Sequence, residues 1–111
     1  MAVNVTFRVD LNSQITKGAF NPQSEFIDLA GNFNSWGQKS NRLSDDDADG
    51  IWEVMLTGLE SGEVLEFKFR INGAWNGREE FPGAGNNRYY SVPLQNATVD
   101  FEYNVQKSQG N

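Results

Sequence analysis

Apolar and polar residues alternate along several short stretches of this chain, and a period of two is typical of half-buried β-strands. The first such stretch runs from Val3 to Leu11, with every second residue apolar. The same period recurs further along the chain, at Ile51–Thr57, Glu63–Asn72 and Thr98–Val105, and Phe26–Ala30 and Arg88–Val92 are predicted to be two more short strands. The pattern therefore predicts short strands separated by polar turns.

The clearest alternation lies between Glu63 and Asn72. Its apolar residues are predicted to point into a core; they are Leu65, Phe67, Phe69 and Ile71. Its charged residues are predicted to point outward; they are Glu66, Lys68 and Arg70. In the final stretch Val99, Phe101, Tyr103 and Val105 are predicted to share the inner face.

The connections are rich in Gly, Pro, Asn and Asp, and no segment longer than a turn has helical periodicity. The polar stretch 12–24 is predicted to be a loop. Several short strands at regular spacing indicate an all-β sandwich. A length of 111 residues is typical of one domain. We predict that this domain covers residues 1–105 and that residues 106–111 form a flexible tail.

Two tryptophans lie among loop residues. Trp36 ends the stretch Gly-Asn-Phe-Asn-Ser-Trp, and Trp75 follows Asn-Gly-Ala. Exposed apolar surface in such loops usually marks an interaction site, so both indoles are candidates for ligand contact, with packing against the core edge as the alternative. Trp52, in contrast, alternates with Val54 and Leu56 and is predicted to be a core residue.

The charge of the chain narrows the class of ligand. Nine basic and fifteen acidic side chains give a formal net charge of −6. This argues against nucleic acid, anionic polysaccharides and anionic membrane surfaces as partners, and no apolar run approaches membrane-spanning length. A neutral ligand is the expectation that fits the charge.

The order of four short motifs resembles a known kind of module. They are Leu-Ala-Gly-Asn-Phe-Asn-Ser-Trp at 29–36, Asp-Gly-Ile-Trp-Glu-Val at 49–54, Phe-Lys-Phe-Arg-Ile-Asn-Gly-Ala-Trp at 67–75 and Asn-Asn-Arg at 86–88. The chain is similar over nearly its whole length to the starch- and glycogen-binding modules of carbohydrate-binding families 20 and 48, including the glycogen-binding domain of the AMP-activated kinase β subunit. The resemblance implies an antiparallel β-sandwich of the early-set immunoglobulin-like kind.

The resemblance also implies a sugar-binding surface. Its residues would be Trp36, Lys68, Trp75 and either Asn86 or Asn87. An indole can stack on the apolar C–H face of a pyranose ring, while lysine and asparagine side chains can bond its hydroxyl groups. We expect starch, glycogen or a related α-glucan as the ligand. Another neutral polysaccharide is the alternative, because the sequence does not give the angle between the two indoles.

An acidic stretch, Asp45 to Gly50, has the spacing Asp-x-Asp-x-Asp-Gly of a calcium loop. However, the twelfth position of that pattern is Leu56 rather than glutamate. Asp45, Asp47 and Asp49 are therefore only weak metal candidates, and a solvated acidic turn is the commoner explanation. A structural or protein-docking domain stapled by calcium is the alternative function from a different class.

We expect no catalysis and no cofactor. The chain contains no His and no Cys, which excludes Ser-His and Cys-His nucleophiles. Glycoside hydrolysis requires two carboxylates around one bond, and Glu79 and Glu80 are two carboxylates near Trp75. However, adjacent residues on an extended segment point to opposite sides, so this pair does not have the required geometry.

The opening Val-Thr-Phe-Arg-Val-Asp at 5–10 resembles modules of secreted bacterial polysaccharide-degrading systems. No signal peptide is visible in the chain. We therefore expect a module excised from a larger exported protein, at the cell surface or outside the cell.

Overall fold

The computed structural model describes residues 2–36, 41–73, 79–81 and 87–105. Six strands and one short helix follow one another along the chain. They are β1 (Ala2–Asp10), α1 (Asn12–Lys17), β2 (Ile27–Gly31), β3 (Ile51–Glu60), β4 (Val64–Ile71), β5 (Arg88–Ser91) and β6 (Ala97–Glu102). Each strand lies within a few residues of its predicted position. The predicted tail, 106–111, is outside the described residues.

The strands form two three-stranded sheets, in the orders β3-β1-β6 and β2-β4-β5. This is the predicted immunoglobulin-like β-sandwich. The pairs β1–β3, β2–β4 and β4–β5 are antiparallel, as predicted. The β1–β6 pair is parallel. A parallel pair requires a long crossover, and here the chain builds the whole second sheet before β6 returns beside β1.

The alternating apolar residues meet between the sheets, as predicted. The core is largely aromatic. The Phe7 and Phe67 rings lie 5.3 Å apart, edge to face, and the Phe67 and Phe101 rings lie 5.6 Å apart in the same arrangement. Such edge-to-face pairs add to the stabilisation that burial itself provides. Phe7 comes from the first sheet and Phe67 from the second, so these contacts join the two layers.

Trp52 packs against this core, which confirms its predicted place. Its ring lies 5.5 Å from that of Phe20, edge to face, and its side chain is half-buried. A short segment also ties the two sheets together at one edge. Arg42 pairs with Asp28 of β2, and Ser44 pairs with Glu53 of β3.

Two local predictions are wrong. Residues 12–17 form a helix rather than a loop; at six residues it is too short to show helical periodicity. It ends at Gly18, whose φ of +79° is left-handed. The last strand ends at Glu102, and Val105 is 37% exposed rather than inward. Asn104, with a φ of +64°, turns the chain away. Among the described residues, no helix has the length and apolar character needed to cross a membrane.

Candidate functional site

The turn that carries Trp36 is joined closely to β4. Gly31, at the end of β2, leaves no room for a side chain: a Cβ there would lie 2.6 Å from the Glu66 carbonyl oxygen and 2.8 Å from the Phe67 Cβ. The Trp36 amide then donates to the Gly31 carbonyl at 3.0 Å. Glycine at 31 therefore allows the turn that carries Trp36 to lie this close to β4.

Asn34 holds the turn from inside. Its side-chain oxygen accepts from the Gly31 amide at 2.9 Å, and its amide donates to the Leu29 carbonyl at 2.6 Å. Ser35 and Trp36 both adopt left-handed φ values, +55° and +59°. Such strained positions persist only where the surrounding structure holds them, and they cluster at ligand sites. Trp36 itself is half-buried, so part of its side chain remains open to solvent.

Glu66 connects this turn to the neighbouring strand. Its carbonyl accepts from the Asn32 amide at 3.0 Å, and its own amide donates to the Asn32 side-chain oxygen at 3.3 Å. On the other side, its carboxylate Oε2 accepts from Asn87 Nδ2 at 2.7 Å and from the Tyr89 hydroxyl at 3.2 Å. Asn87, one of the predicted sugar-binding residues, is thus linked through Glu66 and Asn32 to the turn of Trp36.

Tyr89 and Tyr90 point to opposite faces of the sheet. Tyr90 packs against the core, with its ring 5.7 Å from that of Phe7, and burial raises its pKa. Tyr89 is 64% exposed and lies directly opposite Glu66 in the β4–β5 register. The negative charge of Glu66, and the hydrogen bond to it, raise the pKa of Tyr89.

Lys68 lies on the predicted outer face of β4, but this part of the face is covered and the side chain does not reach solvent. The side chain is only 2% exposed, and Nζ donates to the Phe81 carbonyl at 2.8 Å. Alternation specifies which face of a strand a residue occupies, but not what covers that face. Here the segment 79–81 runs beside β4, because the Glu80 amide donates to the Phe69 carbonyl at 3.0 Å.

Two buried ion pairs lie in the segment 79–81 or next to it, and the sequence analysis predicted neither. Arg70 Nη2 lies 2.6 Å from Asp28 Oδ2, and Arg88 Nε lies 2.8 Å from Glu80 Oε2. All four side chains are 5% exposed or less. The sequence signal was weak: Arg70 and Asp28 sit at outward positions of their strands, where charged residues are normally solvated.

Asp45, Asp47 and Asp49 lie close together, with one carboxylate oxygen from each within 4.8 Å of the others. The two Asp45 oxygens accept from the Asp49 and Gly50 amides at 3.1 and 2.8 Å. Hydrogen bonds from Asp47 to its acidic neighbours raise its pKa, while a bond from the Ile51 amide lowers the pKa of Asp49. These are the residues that could hold a hard cation, and the bonds they make are those of an acidic turn.

The predicted site is described in part. Trp36 and Asn87 are brought to one region around Glu66, and Lys68 lies one alternate position further along β4. Trp75 and Asn86 lie outside the described residues. Glu66 was not among the predicted site residues, although alternation placed it on the outer face.

Comparison with known proteins identifies a family whose sequence model matches most of this chain. The sequence model of the family described as carbohydrate-binding module 48 (isoamylase N-terminal domain) matches residues 4–94. The chain is 31% identical over 49 residues to the 1,4-alpha-glucan branching enzyme GlgB of Methylobacillus flagellatus and, equally, to that of Cellvibrio japonicus. Each match covers 44% of this chain and 7% of the enzyme. The GlgB of Hydrogenovibrio crunogenus is 26% identical over 62 residues, which cover 56% of this chain and 8% of the enzyme.

These matches span less than a tenth of the enzymes' length. They also correct one prediction. The expectation of an extracellular or cell-surface protein is wrong by this comparison, because the relatives are branching enzymes of the cytoplasm and not exported proteins. The similarity to family 20 and to the kinase β subunit stays a prediction.

Proposed function

The chain belongs to the carbohydrate-binding module 48 family, and from that premise we propose that it is a non-catalytic module that binds starch, glycogen or a related α-glucan through its loop tryptophans. The relatives it matches are named for action on 1,4-alpha-glucan, which favours an α-linked polymer over other neutral polysaccharides. In a larger protein the module would hold an attached enzyme on that polymer.

The observation that carries the proposal is the position of Trp36. The indole is half-buried at the end of a rigid turn, and the turn is hydrogen-bonded to β4 at Glu66, where Asn87 also arrives. The backbone of Trp36 is held by these bonds, and an indole side chain has few rotatable bonds, so it loses little conformational freedom on binding. Asn87 donates one amide hydrogen to Glu66, and among the described residues its carbonyl oxygen and second hydrogen have no partner, so both suit sugar hydroxyls.

The other predicted residues enter the proposal in different ways. According to the family resemblance, Trp75 and Asn86 would complete the sugar-binding surface. Lys68 has a changed role: because its ammonium donates to the Phe81 carbonyl, it supports the segment 79–81 beside the site. Contact between Lys68 and a sugar would require the covering segment to move, because the side chain is only 2% exposed.

The positions of Glu79 and Glu80 support a binding role without catalysis by this pair. Hydrolysis of a glycosidic bond needs two carboxyl groups placed on either side of it. Glu80 is fully buried and paired with Arg88, so it is not available as a general acid. Glu79 is also buried, at 7% exposure, and its backbone pairs with Arg70.

Titration with maltoheptaose, followed by tryptophan fluorescence and by retardation in glycogen-containing native gels, tests the proposal. We expect a spectral shift and retardation with the α-glucan and neither with cello-oligosaccharides. Trp36→Ala should weaken binding by roughly ten-fold or more, since aromatic anchors dominate such sites. Met55→Ala is the matched control, because Met55 is 54% exposed on the other sheet. Binding unchanged in Trp36→Ala, or equal binding of cello-oligosaccharides, would contradict the proposal.

A further inference from the structure

The outer face of the β2-β4-β5 sheet has two halves of different character. Around Arg70 and Lys68 it is closed, with both side chains 2% exposed. At the other end of the same strand it is open: Val64 is 52% exposed, and Tyr89, opposite Glu66, is 64% exposed. A large exposed aromatic ring therefore stands at the open end, next to residues already assigned to the site.

The Tyr89 ring is held in place. Its hydroxyl donates to Glu66 Oε2 at 3.2 Å, and its backbone pairs with β4 through the regular antiparallel register. An exposed tyrosine side chain loses conformational entropy when a ligand orders it. Because this hydrogen bond already restricts the Tyr89 side chain, less entropy is lost on binding. The ring is thus pre-organised as a surface on which a flat apolar group can stack.

Two polar side chains next to the Tyr89 ring, those of Glu66 and Asn87, can form hydrogen bonds with sugar hydroxyl groups. Asn87 Nδ2 and the Tyr89 hydroxyl both donate to Glu66 Oε2, at 2.7 and 3.2 Å. Among the described residues, the second carboxylate oxygen of Glu66 accepts no hydrogen bond, and neither does the Asn87 side-chain oxygen. Two hydrogen-bond acceptors beside an aromatic face match a pyranose ring, which has hydroxyl groups at its edge and an apolar face of C–H groups.

The chemistry favours a neutral sugar over other occupants. A carboxylate beside the ring, on a chain of net charge −6, repels anionic ligands. The cluster is also continuous with the proposed site, since Glu66 bonds Asn32 in the turn of Trp36 and Asn87 is shared by both. One glucan chain could therefore contact both regions.

We propose that Tyr89, Glu66 and Asn87 form an additional subsite that binds a further glucose unit of the same α-glucan chain. This inference rests on the proposed function. Tyr89 supplies the stacking face, and Glu66 holds the ring while its second oxygen accepts a sugar hydroxyl. The subsite makes binding depend on the length of the oligosaccharide, because only a longer chain reaches both Trp36 and Tyr89.

Calorimetric titration with maltotriose and maltoheptaose tests the subsite. Wild-type protein should bind the longer sugar more tightly. Tyr89→Ala should lose roughly two- to ten-fold in affinity for maltoheptaose, from the usual worth of one aromatic contact, with little change for maltotriose. Tyr89→Phe keeps the ring and should keep most of that affinity, whereas Trp36→Ala should weaken binding of both sugars. Leu94→Ala, at a residue 74% exposed, is the surface control.

The outcomes are distinguishable. If Tyr89→Ala binds maltoheptaose like the wild type while Trp36→Ala does not, the subsite is wrong and the proposed function stands, and the Tyr89 ring serves another contact such as protein docking. If the wild type binds neither sugar, the proposed function fails and the subsite with it. Perturbation of the Tyr89 ring signals by maltoheptaose, in wild-type protein labelled on tyrosine, reads out the contact even if the alanine variant does not fold.

Discussion

Arg88 and Glu80 form a bidentate ion pair that is almost completely buried, with Nε to Oε2 at 2.8 Å and Nη2 to Oε1 at 2.9 Å. Glu80 also accepts from the Phe69 and Asn104 amides, both at 3.0 Å. Arg88 Nη2 donates in addition to the Glu102 carbonyl at 2.9 Å. The pair therefore joins the segment 79–81, which covers Lys68, to β4, β5 and the end of β6.

Glu80→Gln removes the charge of this pair but keeps its shape, and we expect a large loss of stability. Leaving one member of a buried pair uncompensated typically costs about 3–5 kcal/mol. Chemical denaturation measures the change in the free energy of unfolding. Asp100→Asn is the matched control, because its ion pair with Arg8 is exposed, with 69% of the Asp100 side chain accessible; such a pair contributes about 1 kcal/mol or less. Equal losses for the two variants would contradict the structural role given to Glu80.

Gly31→Ala should destabilise the protein and weaken glucan binding together. The new Cβ would lie 2.6 Å from the Glu66 carbonyl, which is backbone and cannot rotate away. Overpacking of this kind costs about 1–3 kcal/mol, and it would displace the turn that carries Trp36. Thermal melting and gel retardation measure the two effects.

Gly58→Ala is the control that separates steric overlap from backbone strain. Gly58 has a φ of +70°, but a Cβ at this position would have no atom within 4 Å. The variant should therefore lose stability without losing affinity for the glucan. Equal loss of affinity in the two glycine variants would show that general destabilisation, and not displacement of the Trp36 turn, weakens binding.

Glu66→Gln should lower the pKa of Tyr89 toward its ordinary value of 10.0, because the Glu66 charge is the main cause of its increase. Phenolate absorbance as a function of pH, with Tyr89→Phe subtracted, measures the change. A raised folded-state pKa stabilises the fold fully below the unfolded pKa, and this contribution is lost as pH rises through the folded pKa. The wild type should therefore lose this advantage above about pH 10, and Glu66→Gln should not. Identical Tyr89 titrations in the two proteins would rule out the contact.

Calcium should leave the melting temperature unchanged. Asp45 already uses both oxygens on backbone amides, and the twelfth position of the calcium-loop pattern is the buried Leu56. Differential scanning calorimetry with calcium and with a chelator measures the effect. A calcium-dependent increase in melting temperature that Asp47→Ala abolishes would favour the alternative of a calcium-stapled structural or docking domain.

Several features of the site could be predicted from local pattern. The alternation around Phe67 and Phe69 placed Glu66 and Lys68 on the outer face, and the Gly-Asn-Phe-Asn-Ser-Trp stretch predicted a loop for Trp36. The environment of each outward residue could not be predicted in the same way. Lys68 and Glu66 are two positions apart on one strand, yet Lys68 is covered and Glu66 adjoins an open surface, because the segment 79–81 lies beside only one end of β4.

By itself, the sequence determined the approximate positions of the strands, the inner and outer faces of β1 and β4, and the family, because these depend on a period of two and on the order of short motifs. Only the tertiary structure decided that β6 pairs in parallel with β1, that Arg88 and Glu80 meet in the interior, and that Asn32, Asn87 and Tyr89 converge on Glu66. The three residues that meet at Glu66 lie 34, 21 and 23 positions from it, and Arg8 of β1 lies 92 positions from its partner Asp100 in β6. Such separations are closed by pairing, within each sheet, of strands that are far apart in the sequence, rather than by any local preference of the chain.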